Sequence, residues 1–183
     1  GESITLEGVS VDDLGPDNFF GYVTIEGTEF DDVLQGSQLG DEINALDGDD
    51  IVDGGAGDDV INGDTGNDTL TGGAGDDELN GGDGNDTADY SDTSEGVTVD
   101  LSTGSATGAA GNDTLDSIEN VIGGNGDDIL IGDENANILD GGAGNDTVYG
   151  NGGDDTLIGG EGDDTLSYEG AEDGVSVDLA NGT

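Results

Sequence analysis

The chain has 183 residues and carries 46 Asp and Glu against no Lys, Arg or His, a formal net charge of −46. A polyanion of this kind cannot neutralise phosphates, which excludes nucleic acid and anionic membrane surfaces as direct partners. The absence of His, Lys and Cys removes imidazole, amine and thiol catalysis, zinc and haem ligation, and any disulfide. No apolar run is long enough to span a membrane, and no charged region followed by an apolar stretch marks a signal peptide. At 30% hydrophobic and 4% aromatic the composition resembles that of a disordered acidic chain. Two readings therefore compete: a solvated disordered segment, or a fold whose carboxylates are held by bound hard cations. The arrangement of the acids decides between them.

Residues 1–26 lie outside any repeat. Ile4 and Leu6 predict a strand, 12–18 a turn broken by Gly15 and Pro16, and 22–25 a second strand. With Phe19, Phe20 and Tyr22, this segment reads as a cap on the open end of a repeat array. From residue 27 a nine-residue period sets in: GTEFDDVLQ (27–35), GSQLGDEIN, ALDGDDIVD, GGAGDDVIN, GDTGNDTLT, GGAGDDELN and GGDGNDTAD (81–89). A single unit, GAAGNDTLD, stands at 108–116, and a second array of five units runs over 123–167.

Position six of the thirteen units holds Asp32, Asp41, Asp50, Asp59, Asp68, Asp77, Asp86, Asp113, Asp128, Asn137, Asp146, Asp155 and Asp164. Position eight is aliphatic throughout, from Leu34 to Leu166. Glycines at positions one, two and four permit a tight loop with inward carbonyls, and positions seven to nine predict a short strand burying only its middle residue. Two units then make one 18-residue coil, and stacked coils bring each Asp within roughly the 4.8 Å strand spacing of the Asp 18 residues away. Carboxylates so placed repel unless they share a cation. A flexible loop rich in oxygens suits calcium better than Mg²⁺.

The units GGAGDD, GGNGDD and GGEGDD followed by an aliphatic resemble the RTX, or haemolysin-type, calcium-binding nonapeptide repeat. The resemblance implies an all-β, right-handed parallel β-roll with calcium between stacked loops along each edge. It implies that each position-six Asp bridges two ions, and that main-chain carbonyls of positions one to four complete the shells. Carried onto this chain, those carbonyls are drawn from Gly54, Gly55, Ala56, Gly57, Gly63, Gly72, Gly73, Gly75, Gly81, Gly123, Gly126, Gly141, Gly144 and Gly159. The pairs are Asp32 with Asp50, Asp50 with Asp68 and Asp68 with Asp86 on one edge, and Asp41 with Asp59 and Asp59 with Asp77 on the other. The second array adds Asp128 with Asp146, Asp146 with Asp164, and Asn137 with Asp155, for about eight sites in all. Phe30, Leu39, Ala45, Asn135 and Asn137 depart from the pattern and weaken their loops.

Between the arrays, 90–107 has the length of one coil and is expected to continue the roll with degenerate, calcium-free loops. Val97, Val99 and Leu101 alternate as in a strand with one buried face. The phase then slips, since 108 to 123 spans 15 residues, which requires a shortened turn over Ser117 to Ile122. A ninth ion between Asp113 and Asp128 is a further expectation. A longer repeat matches 81–104 to 159–182 and aligns Tyr90 with Tyr168. It leaves 168–183 as the start of a second degenerate coil, so the chain reads as part of a longer array.

Asp64, Thr65 and Gly66 match an aspartic-protease triplet only by coincidence, and an EF-hand starting at Asp47 fails at Ile51 and Asp58. A dozen equivalent Asp single out no acid and nucleophile pair, so no enzyme is read here. The function expected is a calcium-dependent folding and structural module, extracellular or on a bacterial surface, attached to further domains and exported unfolded by a type I route as the resemblance implies. The alternatives are a surface-recognition module, adhesive or ice-binding, and a non-catalytic module of a polysaccharide-acting enzyme.

Overall fold

One aliphatic residue per nine dictates the layout, because a strand of three residues can present only its middle side chain to one face. The structure, a computed structural model, describes residues 5–7, 23–168 and 176–178. Among these every regular element is a strand. The strands fall into two facing sheets, and successive nonapeptides alternate between them.

The first sheet has eleven strands. Thr5–Glu7, Thr24–Glu26, Glu42–Asn44, Val60–Thr65 and Glu78–Asp83 lead to Asn112–Asp116, Ser105–Gly108 and Val97–Asp100, and Ile129–Ile131, Thr147–Tyr149 and Thr165–Ser167 complete it. The second has eight, from Val33–Gln35 through Ile51–Asp53, Thr69–Thr71, Thr87–Asp89, Asn120–Ile122, Ile138–Asp140 and Thr156–Ile158 to Ser176–Asp178. Within each array neighbours are parallel and 18 residues apart, with Ile43 beside Ile61 and Val52 beside Leu70. The chain is thus a parallel β-solenoid, as the repeat requires. Its core is one side chain wide per sheet: Ile43, Ile61, Leu79, Leu130 and Val148 face Val52, Leu70, Ala88, Val121, Leu139 and Leu157.

The segment 1–26 contributes two strands to the first sheet: Thr24–Glu26 pairs in register with Glu42–Asn44, and Thr5–Glu7 pairs with it in turn. The turn at 12–18 and the aromatic cap lie outside the described residues, as do the last residues of the second degenerate coil.

The stretch 90–107 is not a coil of the roll. Val97–Asp100 runs antiparallel to Ser105–Gly108, which runs antiparallel to Asn112–Asp116, and this meander is inserted between Glu78–Asp83 and Ile129–Ile131. Its first turn is set by Asp100, whose carboxylate accepts from Ser102 Oγ and Thr103 N–H, and closes at Gly104 with φ 63°. In the second turn Gly108 and Gly111 exchange N–H to carbonyl bonds around Ala109 and Ala110. The shortened turn expected over 117–122 is confined to Ser117, Ile118 and Glu119, because Asn120–Ile122 is a strand that joins Thr87–Asp89.

Candidate metal-binding columns

The loops stack along the two edges where the chain passes between sheets, and position six forms a continuous ladder down each. Along one edge the N–H of Asp32 donates to Asp50 Oδ1 (2.7 Å), that of Asp50 to Asp68 and that of Asp68 to Asp86 (both 2.8 Å). Along the other, Asp41 donates to Asp59 (2.7 Å), Asp59 to Asp77 (2.9 Å) and Asp77 to Asp113 (3.1 Å). In the second array Asp128 donates to Asp146, Asp146 to Asp164 and Asn137 to Asp155. All eight pairs expected from sequence are therefore brought together, each with one carboxylate oxygen fixed by the preceding coil.

The second oxygen separates the ladder into two classes. In Asp50, Asp59, Asp68, Asp77, Asp86 and Asp146 it is buried and has no hydrogen-bond partner. In four others the protein supplies a donor: Thr28 to Asp32, Ser37 N–H to Asp41 (2.6 Å), Gly124 N–H to Asp128 (2.6 Å) and Tyr90 OH to Asp113 (3.0 Å). An orphaned buried carboxylate oxygen is costly, and either a bound cation or a proton would relieve it. A calcium ion fits these positions.

The glycines explain how the oxygens are held open. A Cβ on Gly54 would stand 2.5 Å from Asp59 Oδ2 and 2.7 Å from the carbonyl oxygen of Gly72. Position one is thus a cradle between a carboxylate and the carbonyl of the next coil. The carbonyls of Gly54, Gly63, Gly72, Gly81, Gly123, Gly141 and Gly159 belong to this position. Those of Gly57, Gly75, Gly126 and Gly144, at position four, face the glycine of the coil after or the backbone beside it. The position-two carbonyls also carry coil-to-coil bonds: Gly55 accepts from Ala74 N–H (3.0 Å), and the equivalent Gly142 accepts from Glu161 N–H (2.8 Å). Gly73 holds the same position, and Ala56 forms a bridge with Ala74, so positions two and three serve the coil-to-coil ladder. Among the described residues no three acidic side chains converge on one point. A cation here would take at most two carboxylates together with main-chain carbonyls, a hard, flexible oxygen set of the kind calcium accepts.

Burial is the largest influence on these acids and pushes them up. It is partly offset by the backbone donor of the previous coil and reinforced by the next carboxylate along the edge. Asp59 is raised to about 7, and Asp77 and Asp146 to about 6. Asp50, Asp68, Asp86, Asp113, Asp128 and Asp155 move in the same direction. Burial and Asp113 also push the Tyr90 phenol up, so it stays a donor. Without a cation the columns hold protons more tightly than an exposed Asp does.

Asp113 and Asp128 are not joined by the position-six ladder. The loop 90–96 lies between them, and Asp128 Oδ1 is taken by Val97 N–H (2.8 Å). Two residues of the columns escape the sequence pattern. Glu119 stands where a position-six Asp belongs, accepting from Asp86 N–H through Oε2 (2.8 Å). Counting back 18 residues from Asn137 finds it. Tyr90 is the other, and no spacing points to it. Position five forms its own exposed ladder. Asp49, Asn67 and Asn85 donate their N–H groups to the position-five side chain of the coil before, and Asn112 does so to Asp76.

A family model described as the RTX calcium-binding nonapeptide repeat (4 copies) matches residues 26–61, 37–70, 53–88, 116–148 and 131–166, more than half of the chain. Comparison with curated proteins gives no match.

Proposed function

Since the chain belongs to the RTX calcium-binding repeat family, we infer that it is a calcium-triggered folding module of an exported protein, with ions between each of the eight 18-residue pairs of position-six residues. The observation that carries this is the set of six buried, unpartnered carboxylate oxygens in the array interiors. Asp59, Asp68, Asp77, Asp86 and Asp146 each turn that oxygen toward the position-one glycine of their own loop, whose small size leaves room beside it, whereas Ala45 holds that position in the Asp50 loop. Calcium supplies the charge that lets these carboxylates sit together in ionised form. The rest is done by the chain: position six aims the oxygens, positions one and four bring carbonyls close, and position eight zips the coil shut.

The coupling is thermodynamic. The unfolded chain has no preformed site, so binding free energy becomes folding free energy, and a chain of net charge −46 stays expanded where calcium is scarce. Intracellular calcium is low and extracellular calcium is high, which supports passage through a secretion channel unfolded and folding outside. The folded roll then serves as a structural part of a longer chain. Far-ultraviolet circular dichroism of the calcium-depleted chain tests this. Millimolar calcium should produce strand signal and equimolar Mg²⁺ should not, while a strand signal untouched by depletion would refute the reading.

A further inference from the structure

Apart from Thr28 and Ser37 in the first coil, the protein groups that partner the columns gather at one level of the roll. On one edge the loop 90–96 is stacked between the Asp113 and Asp128 loops. From it Tyr90, almost wholly buried, donates its hydroxyl to Asp113 Oδ2, and Val97 N–H closes Asp128 Oδ1. On the opposite edge the three-residue turn at 117–119 separates the Asp86 loop from the Asn137 loop. There Glu119 Oε2 takes Asp86 N–H, and Asn137 Nδ2 donates to the carbonyl of Glu119 (2.8 Å). Asp86 keeps its unpartnered oxygen on the side of the first array, and beyond it the position-six places are held by Glu119 and Asn137 rather than Asp.

The same level has a fold that needs no ion. Its strands Val97–Asp100, Ser105–Gly108 and Asn112–Asp116 are joined by short antiparallel turns. They bury Val97, Val99, Ala106 and Leu115, with Ile118 and Val121 following. Local hairpin contacts form at little loop-closure cost, unlike the 18-residue parallel pairings of the arrays.

We propose that residues 90–122 form a calcium-free seam that divides the ion columns in two, so that the array before it and the array after it load calcium independently. The seam rests on the calcium reading above. In a solenoid each coil senses only its neighbours. Ion occupancy passes along a column through the Asp that bridges consecutive sites. Where Tyr90, Val97, Glu119 and Asn137 take the place of that Asp or its ion, occupancy is not transmitted.

Hydrogen exchange of the whole chain, followed segment by segment through a calcium titration, tests the seam. The double variant Asp59→Asn, Asp68→Asn should raise the calcium midpoint for protection of 27–89 by about tenfold or abolish protection there. The midpoint for 123–167 should stay within about twofold of the parent chain, whether or not 27–89 folds. A shift of 123–167 by the same factor as 27–89 overturns the seam and leaves the calcium reading intact. If neither array responds to calcium in the parent chain, or 27–89 is unmoved in the variant, the calcium reading falls and the seam with it. A second measurement is independent of coupling. Asp113→Asn keeps the acceptor for Asp77 N–H and should leave the number of bound calcium ions in native mass spectrometry unchanged, and loss of an ion in that variant also overturns the seam.

Discussion

Acid should do part of the work of calcium. Asp59 is raised to about 7 and Asp77 and Asp146 to about 6, from an ordinary 3.8, chiefly by burial. The folded, ion-free roll therefore binds more protons than the unfolded chain between about pH 4 and pH 7, and its stability falls as pH rises through that window. At about 1.4 kcal/mol per pH unit, ionising these three residues costs the fold on the order of 10 kcal/mol at pH 8. The cost drops to about half at pH 5 and to about 2 kcal/mol at pH 4. A domain is stable by only about 5–15 kcal/mol, so this burden weakens the ion-free roll most at high pH. Calcium-depleted protein should gain strand signal in circular dichroism between pH 7 and pH 4.5. The triple variant Asp59→Asn, Asp77→Asn, Asp146→Asn should show a flatter response and more strand at pH 8 than its parent. Strand content that is independent of pH, or that rises toward pH 8, would refute the reasoning. So would a triple variant with an unchanged pH profile.

Other substitutions separate the core from the loops. Leu139 is fully buried between the sheets, so Leu139→Ala should cost about 2–5 kcal/mol in saturating calcium, read as a lowered melting temperature with the ion count unchanged. Leu46 occupies position two with φ 80°, a left-handed conformation that glycine takes without strain and that this position adopts as Gly55 and Gly73 elsewhere. Leu46→Gly should stabilise the calcium-loaded roll by up to about 1 kcal/mol and lower the calcium midpoint of the first array.

Most of the solenoid is legible in the sequence because its two determinants sit in fixed columns. Asp at position six and an aliphatic at position eight leave no freedom in which residues face the edge and which face the core. The Asp50, Asp68 and Asp86 ladder and the Ile43, Ile61 and Leu79 stack can be found by counting alone. The inserted meander cannot, because 90–107 has the length of a coil and its alternation of Val97 and Val99 fits a parallel or an antiparallel strand equally well. Direction is settled by the turns at Asp100 to Gly104 and Gly108 to Gly111, which close hairpins too short for a crossover. Tyr90 escaped for a related reason: its partner Asp113 is 23 residues away across that fold, outside any period. The division of the Asp column into partnered and unpartnered oxygens also needed coordinates, since it depends on whether Thr28, Ser37 or Gly124 turns a donor inward.

The central claim is that the unpartnered oxygens are calcium sites, and counting ions on the folded chain tests it most directly. Equilibrium dialysis against calcium near neutral pH should give about eight ions per chain, with one to two lost in Asp59→Asn, whose carboxylate stands between Asp41 and Asp77. A folded chain that binds no calcium, or a count that Asp59→Asn leaves unchanged, would contradict the account.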